Sequence, residues 1–209
     1  MSDESRFERI KANLQEKLYQ ALIKVVGEPE NAITRSQKYK TIEKYWRMQY
    51  TKMMAEAAVS GIGGFLTGTI MSVGTATHAM RCIANMTYAY GHAVGAKVDK
   101  EDFFYVLAFW TNKDKSEVVN QPAKAILAAR ARALAAANAR QASIKAGQQL
   151  INQLAVYAAQ SIAARWAMRI VASAAPLIGM AVMAVIMQND YSKITAAIRE
   201  FYQQKLSEA

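Results

Sequence analysis

Of 209 residues, one is cysteine, three are proline and two are histidine. The single Cys82 excludes an intramolecular disulfide and a cysteine-based zinc cluster, and it fits a reducing, cytoplasmic compartment. Three prolines and ten glycines leave little room for long disordered linkers. Alternating β-branched runs are nearly absent, while alanine, methionine and leucine dominate the apolar fraction. Those two facts together predict an all-α protein, a single-domain bundle of six to eight helices. The N-terminal MSDESRFERIK has acids and no apolar centre, so it does not read as a secretory signal. Export without a cleaved signal would leave no mark of this kind.

Acidic residues are missing from one long region. None occurs between Glu117 and Asp190, where Lys124, Arg130, Arg132, Arg140, Lys145, Arg165 and Arg169 all lie. A second basic block, RSQKYKTIEKYWRMQYTK from Arg35 to Lys52, has Glu43 as its only acid. With a net charge of +10, this layout suits a polyanionic partner: an anionic membrane surface, an acidic protein or, less well, nucleic acid. It is equally the layout of a solvated basic face.

Helical periodicity is plain at the start. Phe7, Ile10, Leu14, Leu18, Leu22 and Val25 recur at steps of three and four, after a capping-box pair at Ser5 and Glu8 and before Gly27 and Pro29. A second helix is expected from about Thr34 into the fifties. Its Arg35, Lys38, Lys44, Trp46, Arg47, Tyr50 and Lys52 form the candidate contact set for a membrane or polyanion, since aromatic rings among cations suit a headgroup layer or stacked bases. An ordinary amphipathic helix with its aromatics turned inward accounts for the same pattern. Residues 1–54 thus read as amphipathic and basic-aromatic helices ahead of a helical core at 55–209.

Ser60 to Thr75 holds five glycines and no charge. Each glycine inside a helix costs on the order of 1 kcal/mol relative to alanine. Gly61, Gly64, Gly68 and Ser72 fall on one helical face, between Ala57 and Ala76, and predict a groove for a closely packed neighbour helix. A break at Gly61–Gly64, or a helix pair able to enter lipid, explains the glycines as well. From Ala57 to Met80 there are 24 residues without a formal charge, but half are Gly, Ser, Thr or His, which favour insertion little.

Gly91 is the expected left-handed cap of the next helix, and Asp99 the expected N-cap of KEDFFYVLAFW, the most buried element. Asn120 and Pro122 should open a long Ala-rich basic helix that bends at Gly147 and then continues. Ile170 to Asn189 is 20 uncharged residues, long enough to span a membrane and equally suited to a buried helix kinked at Pro176. Asn189 or Asp190 would cap the final helix. The core is expected where the glycine helix meets FFYVLAFW and the 170–187 helix.

No catalytic signature is present. The glycines match neither a phosphate loop nor GxGxxG, and GxSxG is absent. His78 and Cys82 share a helix face without a third metal ligand nearby, so neither a metal nor a cofactor is expected. A convergent site would have to unite distant residues such as His78, Arg81, His92 and Asp99.

The order SGIGGFLTG, MRCIANMTYAYGH, DKEDFFYVLAFW and APLIGMAVMAVIMQN resembles the EcsC family of bacterial helical proteins, over roughly residues 55–202. The resemblance rests on Arg81, on Ala89, Tyr90 and Gly91, and on Pro176, Gly179 and Asn189. SVGTAT at Ser72–Thr77 departs from the acidic residue and proline that family members often carry there. The resemblance implies a bacterial, membrane-associated setting and no established activity. The expectation is therefore a non-enzymatic, membrane-associated or lipid-interacting protein, cytoplasmic or peripheral at the inner membrane. The alternatives are a soluble interaction module or secreted effector with an acidic partner, and a nucleic-acid-binding protein.

Overall fold

The three-and-four spacing of Leu14, Leu18 and Leu22 buries all three side chains along α1 (Asp3–Val25). The computed structural model describes the backbone of residues 3–25, 29–66, 73–136, 144–172 and 179–208. Side chains are described for residues 4–25, 29–55, 76–135, 149–168 and 190–208. After α1 come α2 (Pro29–Ser36), α3 (Ile42–Leu66), α4 (Val73–Ala93), α5 (Asp102–Asn112), α6 (Glu117–Ala136), α7 (Ile144–Ala172) and α8 (Gly179–Ser207). Among the described residues there is no strand, and the fold is an all-α, single-domain bundle. No helix of the described residues is long and apolar enough to cross a membrane.

α5 carries the core. Phe103 to Ala108 are all buried, because the helix packs against α4, α6, α7 and α8 together. α1 lies across α4 and α7, and α3 lies against α4 and α8. The helix that bears Gly61 and Gly64, α3, packs against α4 and α8, and the expected meeting of the glycine stripe with FFYVLAFW and the 170–187 segment lies outside the described side chains. Contacts of Trp46 with Met86 and of Gln49 with Asn85 run α3 and α4 antiparallel.

Several helix boundaries differ from the sequence reading. Ser5 lies inside α1 and does not cap it. The expected second helix is two, α2 and α3, separated by a turn in which the Tyr39 N–H bonds the Ser36 carbonyl. Thr41 Oγ1 then accepts the Lys44 N–H, capping α3. Gly61 and Gly64 both sit within α3, so the helix does not break there. Gly68 and Ser72 lie outside the described residues, as does the side-chain packing of the stripe up to Ala76, which is buried.

α4 continues past Gly91 to Ala93, and the left-handed residue is Gly95, at φ 75°. Asp99 does not cap α5. Instead the Asp102 carboxylate accepts the Asp99 N–H at 3.0 Å, and Glu101 occupies the cap position. α6 starts at Glu117, so Pro122 lies inside it rather than at its opening. The Ala-rich stretch is not one bent helix: α6 and α7 pack on each other, with Ser161 Oγ donating to the Val119 carbonyl. Gly147 falls within α7. α8 runs unbroken through Asn189 and Asp190, so neither residue caps a final helix. Pro176 lies outside the described residues.

Candidate functional site

The basic block is divided by burial. Tyr45 and Trp46 point into the core, where the Trp46 indole N–H donates to the Met86 carbonyl at 3.0 Å. Trp46 is 2% exposed, with the Arg199 guanidinium over its ring and Tyr90 beside it. It is thus removed from the expected contact set; its apolar area is satisfied inside the protein. Tyr50 is half-buried, with its ring 4.4 Å from that of Tyr191 on α8. Lys44 and Arg47 are exposed on α3.

Arg35, Lys38 and Lys52 come together with a residue from farther along the chain. A cleft of about 370 Å³ is lined by Arg35, Lys38 and Tyr39 from the end of α2 and the turn after it. Met48, Gln49 and Lys52 of α3 add a wall, and His78, Arg81, Cys82 and Asn85 of α4 form the other. The α4 residues follow an i, i+3, i+4, i+7 spacing, which brings them onto one face. Four cations, Arg35, Lys38, Lys52 and Arg81, face this space, and among the described residues no carboxylate lines it. Among the described residues none of the four has an acidic partner within ion-pair distance.

Between the cations lie uncharged polar groups. Gln49 is buried, and its Oε1 accepts a long hydrogen bond from Asn85 Nδ2 at 3.5 Å. Tyr45 lies behind Gln49 with its phenol pushed up to about 12, chiefly by burial, so it stays protonated. The His78 Nε2 is 3.6 Å from the Cys82 Sγ. Among the described residues no group of three His, Cys, Asp or Glu side chains is placed to hold a metal.

Lys113, Arg130, Arg165 and Lys205, by contrast, pair with acids across the bundle. Lys205 bonds both oxygens of buried Asp102 at 2.7 and 2.9 Å and also reaches Asp99. The Tyr202 hydroxyl donates to Asp102 at 3.1 Å. Burial raises the Asp102 carboxyl above the usual range, with Lys205 pulling the other way, and both burial and Asp102 raise the Tyr88 and Tyr202 phenols. This cluster borders a separate cavity of about 430 Å³ walled by Leu134, Leu150 and Phe201. Arg130 pairs with Glu208 there, beneath the rings of Tyr105 and Phe201. Arg165 reaches Asp114 and Asp190 and stacks 4.7 Å from the Trp110 ring.

The residues of the expected family pattern are therefore dispersed in role. Arg81 lines the basic cleft, while Tyr90 lies between the rings of Trp46 and Tyr202. Gly91 is buried, and a Cβ there would lie 2.3 Å from the Tyr202 ring. Gly179 opens α8, and Asn189 lies within it. His92 is exposed and near Gln37, at 3.4 Å, and Asp99 belongs to the Lys205 cluster, so His78, Arg81, His92 and Asp99 do not line one cavity.

Sequence reasoning missed Arg81 as a companion of the basic block, and it missed Gln49 and Asn85. The i, i+3, i+4, i+7 spacing of His78, Arg81, Cys82 and Asn85 was the available signal. Only the α3–α4 pairing places it opposite Lys52. Comparison with protein-family models, with curated proteins and with solved structures gives no match.

Proposed function

We propose that this is a non-enzymatic protein of EcsC-like type that docks on anionic membrane surfaces through the cleft between α2, α3 and α4. The observation that carries this reading is the group of four cations around one space that no acid lines among the described residues. Their mutual repulsion is unfavourable in the free protein, and an anionic headgroup relieves it. Exposed Lys44 and Arg47 extend the positive field along α3. Arg81, part of the EcsC-like pattern, belongs to the same cleft. The setting in this reading is cytoplasmic, peripheral at the inner membrane.

Vesicle flotation tests it. Protein should rise with phosphatidylcholine vesicles containing 30 mol% phosphatidylserine and stay behind with phosphatidylcholine alone. Each cation near an anionic surface is worth about 1 kcal/mol, so Lys52→Ala with Arg81→Ala should weaken binding about 30-fold. Equal recovery on both vesicles, or no loss in the double variant, would reject the reading. Retention by an acidic protein or by nucleic acid without vesicle binding would support the corresponding alternative instead.

A further inference from the structure

The cleft is more selective in form than a surface patch of lysines. Two of its cations are arginines, whose planar forks suit an oxyanion that accepts two parallel hydrogen bonds. They stand with two lysines around a floor that includes the buried Gln49 and half-buried Asn85. Asn85 donates to the Gln49 Oε1, and Gln49 in turn acts on the Tyr45 hydroxyl behind it, so the polar floor is held in place by its own contacts. Its volume of about 370 Å³ lies within the range of small-ligand pockets, so an anion can enter with the body that carries it.

We infer that the cleft takes a phosphomonoester, a terminal phosphate approaching two negative charges, in preference to the singly charged phosphodiester of most headgroups. This deepens the membrane-surface reading and rests on it. The reasoning is one of charge density and valence. Near neutral pH a phosphomonoester carries about −1.5 to −2 and three terminal acceptor oxygens. A diester carries one charge on two such oxygens. Four cations crowded around one opening, with no carboxylate lining it among the described residues, gain most from the ligand that concentrates charge at one atom centre. Two sources present this chemistry: a lipid with an exposed phosphate, and a free sugar or glycerol phosphate.

The test compares vesicles of equal measured surface potential, one set holding phosphatidic acid and the other phosphatidylserine. Binding to phosphatidic acid should be at least about fivefold tighter, the worth of one additional cation contact. Arg35→Ala with Arg81→Ala should abolish that advantage, so that both vesicle types bind equally, each about 30-fold more weakly than phosphatidylserine vesicles bind the parent protein. Circular dichroism confirms that the variant keeps its helices. Equal affinity for the two matched surfaces would overturn the phosphomonoester preference and leave membrane docking intact. Failure to bind either would sink both. Competition by millimolar glycerol 3-phosphate would support a free phosphomonoester as the natural ligand, and unaltered vesicle preference in its presence would support the lipid.

Discussion

At the scale of single residues, glycine matters most where a ring approaches it. The Gly91 backbone touches Tyr202, whose ring is fully buried and whose hydroxyl is held by Asp102. The ring is thus pinned at both ends and has nowhere to turn. Gly91→Ala gains helix propensity of up to about 1 kcal/mol. It also forces a carbon to within 2.3 Å of ring atoms, and such overpacking typically costs about 1–3 kcal/mol. We expect net destabilisation by urea denaturation, and a smaller loss when the same change is made beside Tyr202→Leu. An identical loss in both backgrounds would show that the ring contact is not the cause. Gly91 was legible as a helix-ending signal; its real constraint comes from a residue 111 positions later, which no local pattern shows.

At the scale of elements, ion pairs decide where helices end up relative to one another. Arg165 on α7 joins Asp114, just after α5, to Asp190 on α8, with Trp110 of α5 beneath the guanidinium. Both Arg165 and Asp190 are almost fully buried, at 4% and 2% exposure. Arg165→Met keeps the volume but withdraws a cation from a buried carboxylate, a change that typically costs about 3–5 kcal/mol. Adding Asp190→Leu should restore much of that loss, because the desolvated charge goes as well. Urea midpoints of the two variants read it directly. If Arg165→Met were neutral, α8 would have to be held by its apolar face, through Ile194, Ile198 and Phe201, and by the Lys205–Asp102 pair.

The same scale explains which elements could be read in advance. α1 and α5 were visible because an apolar stripe or an unbroken apolar run is itself the packing instruction. The Ala-rich stretch from α6 into α7 was not, because alanine favours helix everywhere and marks no end. Asp190 looked like a cap from its neighbours, yet α8 passes through it, and its buried carboxylate faces the Arg165 guanidinium at 3.6 Å instead of a helix start.

For the whole molecule, the excess of positive charge is unevenly satisfied. Lys113, Arg130, Arg165 and Lys205 are paired with acids across the bundle, whereas the cleft cations meet no acid among the described residues. Long-range attraction to an anionic surface should then depend on the cleft and on ionic strength. Vesicle binding at 0.1 M salt should fall at least about tenfold at 0.5 M, as the screening length shrinks from about 10 Å toward 4–5 Å. Cosedimentation across a salt series measures it, and a flat series would point to apolar insertion rather than charge.

Composition and periodicity by themselves determined the all-helical class, the buried faces of α1 and α5 and the presence of an acid-poor basic block, because each is a local property of side chains and backbone. Tertiary structure alone decided which cations remain without an acid, which aromatic rings turn inward and which glycine is indispensable. Trp46 and Lys52 belong to the same basic-aromatic run, and only the pairing of α3 with α4 sends one into the core and the other to the cleft. Those outcomes depend on distances between residues far apart in the chain, and such distances exist only once the helices have packed.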